Sequence, residues 1–519
     1  MTARDAALLG IILLGSVLRL VPVVGDVFPL NDGALFLTMA RDLAANGMVP
    51  PTFTSYNDLR VPFAYPPDGM YLIALLEAVG LNGIDVLRWV PALASIATIP
   101  VVYAIGRLVF RSDGMGLATA ALFAVNTGSY EWLVLGGGIT RAPGFLLALL
   151  AVLFAVRAYR DGGWHWLGAA GLAAGTTGLW HPQATVFAGL SVMLLMPLVT
   201  PDWRVGLRRL ATIGGIGVLV VLPWLAVVVA RHGIDPLWSA VGSGGSPLVG
   251  LVTVMASRTS AGHLEVLGIA TTFGLVVSAA RRFWLPVVWL LVIAAVDSRA
   301  GQPYISVPAA LAIAFALRDM GSVLERQLSR HRAASSDAAR QWSRAPIVIG
   351  LVLLVAAFAD SLAAQGSADT PLRAVPRAER HAMEWVVANT EPGDAFVVVS
   401  GRFWAWDATS EWFPLLAQRR SAATVQGYEW LGVQAYERQV ERAAELAPCV
   451  AADDLECVDR WLDGAGDVEY LFLARSPDAV AAGVECCLQL AEQVAQIRTA
   501  EVVYRDDDVV IVRLGQEAT

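Results

Sequence analysis

Eleven apolar runs, at residues 6–24, 89–107, 114–127, 143–158, 164–180, 182–199, 210–230, 263–280, 283–297, 303–317 and 346–363, fill most of the first 363 positions of the chain. Hydrocarbon offers no water to backbone amides and carbonyls, so a run of about 20 apolar residues is stable there only as a helix that pairs its own. The expected fold class is therefore a polytopic α-helical membrane protein with about 11 transmembrane helices. Composition agrees: the 519 residues are 56% hydrophobic and 16% charged, whereas soluble domains are roughly a quarter charged. A net charge of −8 argues against a nucleic-acid partner, whose phosphates require a basic face.

All 37 basic residues are Arg. Basic residues stay on the cytoplasmic side of a bilayer, so their distribution orients the spans. With the N-terminus inside, the inner loops collect Arg107, Arg111, the pairs Arg208-Arg209 and Arg281-Arg282, and the cluster at 318–344. The outer loops hold only Arg41, Arg60, Arg88, Arg141, Arg231, Arg258 and Arg299. The same asymmetry bears on Pro66 to Leu81, which is apolar enough to pass for a further span. A twelfth span would turn the 318–344 cluster outward, so this stretch is expected to be an interfacial or re-entrant helix inside the outer loop 25–88. No small-residue cleavage site follows the first run, which is expected to stay as the first helix.

An odd number of spans leaves the C-terminus outside. Residues 1–364 form the membrane part, 365–376 a linker, and 377–519 an extracytoplasmic α/β domain of ordinary soluble character. Strands are expected at Ala395–Ser400, Ala422–Gln426, Glu469–Ala474 and in a hairpin Glu501–Tyr504/Val509–Leu514, with helices at Arg377–Asn389, Gln434–Leu446, Leu455–Leu462 and Ala479–Gln496. Four cysteines, Cys449, Cys457, Cys486 and Cys487, fall in this tail, where disulfides form. A bridge between adjacent Cys486 and Cys487 would be strained. Each is expected to pair with one of Cys449 and Cys457, or one pair stays reduced.

Polar residues expected on the outer side come from distant segments: Asp32, then Glu131 and Arg141, then His181, then His263 and Glu265, then Asp297 and Arg299. Ionisable groups at membrane depth are costly and so are functional candidates. Asp32 directly precedes an amphipathic run at Ala34 to Asn46, which gives it two readings, a reactive carboxylate or a helix N-cap. Arg299 suits phosphate, and interfacial snorkelling is its alternative use.

A resemblance becomes specific at Asn31-Asp32-Gly33-Ala34-Leu35-Phe36-Leu37, which is similar to the first outer loop of the GT-C superfamily of membrane glycosyltransferases. Ala64-Tyr65-Pro66-Pro67-Asp68-Gly69 resembles the proline-containing juxtamembrane helix of the same loop. Arg88-Trp89-Val90-Pro91 to Phe110 resembles the second span, and Ser298-Arg299-Ala300-Gly301-Gln302-Pro303-Tyr304 the segment whose basic residue contacts the lipid-linked phosphate. The superfamily includes protein O-mannosyltransferases, oligosaccharyltransferases and the lipid A aminoarabinose transferase. The resemblance implies transfer of a sugar from a polyprenyl-phosphate donor to a glycan, lipid or protein acceptor at the outer face of a bacterial plasma membrane. Asp32 would be the catalytic carboxylate, and Arg299, Arg141 and His181 the donor-phosphate ligands. Glu131, Tyr65, Tyr304, His263, Glu265 and Asp297 are further pocket candidates.

Two departures stand out. Many relatives carry Asp-Glu where this chain has Asp32-Gly33, and an Asp in the second outer loop where it has Gly136-Gly137-Gly138; Glu131 is the candidate replacement. With one firm carboxylate the chain lacks the oxygen ligands that Mg or Mn sites use, so no cofactor is assigned and a divalent metal is disfavoured. A flippase of lipid-linked sugars is a rival, weakened by the lack of an internal repeat. An inactive scaffold of envelope glycan assembly is another. The tail's aromatic stretch, Phe403-Trp404-Ala405-Trp406 with Trp412, Tyr428 and Trp430, suits acceptor stacking or, more simply, a hydrophobic core.

Overall fold

The computed structural model describes residues 1–242, 259–260, 263–264, 266–296, 302–330, 345–366, 370–452, 454–474, 490, 493 and 500–515. Each of the eleven apolar runs contains a helix, although the run 263–280 opens with strand residues at His263–Leu264 and is helical only from Val266. The chain begins with α1 (Ala3–Gly25), opened by a Thr2/Asp5 capping box, and continues through two short helices, α2 (Ala34–Ala45) and α3 (Asp68–Ala78), to α4 (Gly83–Phe110) and α5 (Asp113–Val125). Next come α6 (Gly138–Asp161), α7 (Trp164–Trp180), α8 (Pro182–Val199) and α9 (Trp203–His232), then α10 (Asp235–Gly242), α11 (Val266–Ala280), α12 (Trp284–Val296), α13 (Gln302–Arg330) and α14 (Ala345–Gln365).

Among the described residues seven helices, α1, α4, α6, α8, α9, α13 and α14, are long and apolar enough to cross a membrane. The ambiguous stretch after Pro66 is α3, an 11-residue helix; at about 1.5 Å per residue it cannot cover a ~30 Å hydrocarbon core.

Small residues let the helices approach closely. Gly171 and Gly175 of α7 lie against α9, where a Cβ on Gly175 would meet the Gly217 carbonyl at 2.7 Å. Near the C-terminal end of α1, Arg19 is fully buried. It donates Nε to Ser95 Oγ at 3.0 Å, Nη1 to the Gly15 and Ala124 carbonyls and Nη2 to Ser129 Oγ at 2.9 Å, and stacks over Tyr130. Neutral acceptors on α4, α5 and the following loop thus satisfy a cation that the core must hold.

The C-terminal segment contains α15 (Arg377–Asn389), α16 (Ala408–Leu416), α17 (Val433–Ala451), α18 (Leu455–Asp463) and a five-stranded sheet. Numbering strands after β1 (Thr259–Ser260) and β2 (His263–Leu264), the sheet runs β4 (Arg420–Ser421), β3 (Ala395–Val399), β5 (Tyr470–Ala474), β7 (Val509–Arg513), β6 (Glu501–Arg505), with β3 parallel to both β4 and β5 and the remaining pairs antiparallel. Both sides of β3 and β5 are buried, which is why they read as unbroken apolar runs.

One expected strand needs correction, one helix was not foreseen, and of the two disulfide alternatives the cross-pairing of Cys449 and Cys457 with Cys486 and Cys487 does not hold. Strand pairing stops at Ser421, because Gln439 donates its amide to the Ala422 and Thr424 carbonyls and Thr424 Oγ1 bonds the Ser410 carbonyl. Those side chains take the place of a strand partner over 422–426. The helix α16 was not expected; Pro414 and its nine-residue length hide its period. The disulfide joins Cys449 to Cys457, whose Cα atoms lie 5.4 Å apart across the turn between α17 and α18. The expected helix at 479–496 lies almost wholly outside the described residues, as do Cys486 and Cys487.

Candidate active site

The Asn31-Asp32-Gly33 turn is fixed from two directions. Asn31 and Gly33 both adopt left-handed backbone, at φ 52° and 131°, which glycine tolerates at Gly33 without strain. Gly136 donates its amide to the Leu30 carbonyl at 2.8 Å, and Asn31 donates to the Arg373 carbonyl at 2.6 Å. From α16, Trp412 Nε1 donates to the Asn31 carbonyl at 2.8 Å, and Glu411 Oε1 accepts the Gly33 amide at 2.9 Å. The turn that carries Asp32 is therefore held by the second loop and by the C-terminal segment together.

Asp32 does not cap α2, whose N-cap is Gly33 with no side-chain bond. It points instead at the start of α6. Gly137 donates its amide to Asp32 Oδ1 at 2.7 Å, and Arg141, one turn into α6, donates Nη2 to Oδ2 at 2.6 Å. A carboxylate at a helix N-terminus is favoured by the free amides and the helix dipole. The pair is enclosed: the two side chains are 10% and 19% exposed. Each carboxylate oxygen accepts one of these bonds and keeps a lone pair for another donor.

The glycine run at 136–138 now has a physical reason. A Cβ on Gly136 would collide with the Asp32 carbonyl, and one on Gly137 with Asp32 Oδ2 and, at 2.8 Å, with Arg141 Nη2. No side chain fits where Asp32 approaches the loop.

One turn along, Tyr65 joins three segments. Its hydroxyl lies 2.9 Å from Thr140 Oγ1 and 2.8 Å from His181 Nδ1, and the opposite ring nitrogen of His181 is 3.3 Å from Gln183 Oε1. The Tyr65 ring meets Phe36 of α2 and Trp430 of the C-terminal segment edge-on. The preceding Pro-Pro delivers Asp68, whose carboxyl burial pushes up to about 6.

Of the sequence candidates, Asp32 and Arg141 are in direct contact, and Tyr65 and His181 are in contact beside them. Glu131 opens a buried 3-10 turn next to Trp132, which stacks over Arg141 and against Trp406. Tyr304 packs between Phe145 and Phe187. His263 lies in β2, paired with Ser260. Glu265, Asp297 and Arg299 lie outside the described residues.

Sequence reasoning missed Glu411. Burial and the neighbouring Asp32 carboxylate push its carboxyl well above the usual range, against the pull of the Gly33 amide and Arg141. Its only signal was a place in an aromatic-rich stretch whose other members, Trp406, Trp412 and Trp430, prove to pack against the membrane part or the core. Among the described residues no group of three or more His, Cys, Asp or Glu side chains is placed to hold a metal.

Residues 64–228 match the family model of dolichyl-phosphate-mannose-protein mannosyltransferase. In structure the chain is similar to ArnT from Cupriavidus metallidurans in the apo state, with a TM-score of 0.56 at 17% identity, covering 99% of this chain and 100% of that one. The same protein bound to undecaprenyl phosphate gives a TM-score of 0.53 at 16% identity over the same shares. The archaeal oligosaccharyltransferase AglB from Archaeoglobus fulgidus, in complex with an inhibitory peptide and a dolichol-phosphate, gives 0.51 at 16% identity, covering 90% of this chain and 69% of that one. No curated protein matches the chain. At these identities the likeness is one of fold, which this chain shares with those membrane proteins.

Proposed function

We propose that this protein is a GT-C-type membrane glycosyltransferase that moves a sugar from a polyprenyl-phosphate donor to a hydroxyl-bearing acceptor. The observation that carries the reading is the Asp32–Arg141 contact, formed by residues 109 positions apart at the mouth of α6. Its support is the fold shared with proteins solved with undecaprenyl phosphate and with dolichol-phosphate, and the mannosyltransferase family match that contains Arg141, Tyr65 and His181.

In this reading Asp32 accepts the proton of the acceptor hydroxyl as its oxygen attacks the anomeric carbon. The bond from that carbon to the phosphate oxygen breaks, and the electron pair leaves with the polyprenyl phosphate. The fixed turn and the Gly137 amide aim the carboxylate before substrate arrives, so little reorganisation is required at the moment of reaction. Arg141 carries positive charge beside the base. Its Nε, buried and without a hydrogen-bond partner among the described residues, is a donor in reserve for a phosphate oxygen. His181, held by Tyr65, and Arg299 are the further proposed phosphate ligands. The step as written uses no metal.

Residues 1–364 would be the catalytic membrane part and 377–519 a domain on the outer face of a bacterial plasma membrane, with 365–376 joining them. The contacts of α16 with the Asp32 turn support placing that domain on the same side as the site. The acceptor is a glycan, lipid or protein. Sugar transfer from a polyprenyl-phosphate donor, assayed in membranes with wild-type protein and Asp32→Asn, tests the reading: loss of transfer in the variant is expected, and full transfer would remove Asp32 as the base.

A further inference from the structure

Directly after Asp32 the chain has Gly33, so no second acid follows it in sequence. The backbone leaves no room for one: Gly33 sits at φ 131°, and a Cβ would press on Gly136 at 3.2 Å and on the Trp412 ring at 3.3 Å. Yet a carboxyl group does occupy the immediate neighbourhood of Asp32. It arrives from residue 411, in a helix 378 positions further along the chain, and bonds the amide of Gly33 itself.

We propose that Glu411 is a positioning residue for Asp32: its carboxyl group pins the Gly33 amide, and through it the turn that aims the catalytic carboxylate. The inference rests on the assignment of Asp32 as the base. Geometry supports it from several sides. Trp412, the next residue of α16, locks the preceding peptide by its bond to the Asn31 carbonyl and packs edge-on against Phe28 at 4.6 Å. Tyr56, from the same outer loop, donates its hydroxyl to the Glu411 carbonyl at 2.6 Å and so holds the helix that presents the carboxyl. Nearby, Asn57 exchanges two hydrogen bonds with the Ser421 backbone, at 3.0 and 2.7 Å. The C-terminal segment is thereby registered on the Asp32 loop to within one hydrogen bond.

The charged and titratable groups facing Glu411 are Asp32, Arg141 and Glu429, with the Tyr56 hydroxyl on its backbone. In its neutral form Glu411 holds Gly33 without competing for Arg141. Once ionised it adds a second negative charge beside Asp32 and draws on the same guanidinium. Because its carboxyl is raised by burial first and by Asp32 second, the neutral form dominates on the acid side of that elevated value and is lost as pH rises through it.

The test compares Glu411→Ala, Glu411→Gln and Glu411→Asp in full-length protein, measuring kcat and KM for a polyprenyl-phosphate sugar across pH. Glu411→Ala is expected to lower kcat roughly 10- to 100-fold, the cost of a misaimed catalytic group, with KM for the donor within about 2-fold. Glutamine can still accept the Gly33 amide, so Glu411→Gln should recover most of that loss and lack the alkaline decline of the wild type. Aspartate is one methylene short and should resemble alanine. Unchanged kcat in Glu411→Ala, or glutamine and alanine equally impaired, would overturn the proposal. If the alanine variant does not fold, the aspartate and glutamine variants carry the same comparison. Failure of Asp32→Asn to impair transfer would instead strike the assignment of the base.

Discussion

Arg141 Nη2 lies 2.6 Å from Asp32 Oδ2, closing the second loop onto the first at the N-terminus of α6. In the proposed reaction the contact gives Arg141 two jobs, orienting the carboxylate and supplying charge where a phosphate would leave. Replacing it should therefore cost more than a surface ion pair does. Arg141→Ala is expected to lower kcat/KM roughly 10²-fold, in the range found when one preorganised donor is removed. Arg141→Lys keeps the charge and loses the fork, and should recover only part. Steady-state kinetics decide it; a wild-type rate in Arg141→Ala would show that Asp32 is aimed without it.

Gly137 sits where the approach is tightest. A Cβ there meets both Asp32 Oδ2 and Arg141 Nη2, so Gly137→Ala must push the pair apart. A displacement of about 1 Å at a catalytic group costs on the order of 10²-fold in rate. The variant should fold, bind donor with KM little changed and lose kcat; kinetics together with thermal denaturation separate that outcome from simple instability.

Arg19 predicts an effect on stability. Fully buried in α1, it serves Ser95, Ser129 and the Gly15 and Ala124 carbonyls. Arg19→Met fills a similar volume but leaves buried acceptors unpaired, at a cost of roughly 2–4 kcal/mol. A clear fall in the unfolding midpoint in detergent is expected, and an unchanged midpoint would mean that water or a rearranged loop replaces the guanidinium.

Glu379 makes the C-terminal segment pH-sensitive. Its carboxyl, 2% exposed and bonded by the Thr409 hydroxyl, is raised from 4.5 to about 7, chiefly by burial. The folded state thus holds a proton that the unfolded state releases between those values, so this group's stabilisation is present below about pH 4.5 and is lost as pH rises to about 7. The shift corresponds to ~3 kcal/mol at most. Glu379→Gln should flatten that slope in a denaturation series from pH 4.5 to 7.5; an equal slope in both proteins would show that another group titrates.

Much of this was legible in the sequence because hydrophobic length and alternation are local. Each of the eleven apolar runs holds a helix, and Val397, Leu471 and Ile511 fell in strands where their runs pointed. Asp32, Arg141 and His181 could be singled out because polar groups beside apolar runs are conspicuous, and Tyr65 through the motif that carries the family resemblance. Glu411 was not, since its role exists only where α16 meets the Asp32 turn, and nothing within ten residues of it encodes that meeting. Gly33 and Gly137 read as departures from a family pattern for the same reason: what excludes a side chain comes from elsewhere in the chain, the Gly136 backbone and Trp412 at Gly33, and the Asp32 and Arg141 side chains at Gly137. The 422–426 stretch has strand composition, and only Gln439 and Thr424, acting across tertiary contacts, remove it from the sheet.

The most direct measurement is single-turnover sugar transfer from a polyprenyl-phosphate donor by wild-type protein and Asp32→Asn, with donor binding measured in parallel. Asparagine keeps the shape of the side chain and an oxygen for the Gly137 amide but cannot take the acceptor's proton. A rate lower by at least about 10²-fold, the lower end of what a positioned base contributes, with donor binding retained, is predicted. Transfer at the wild-type rate would contradict the account.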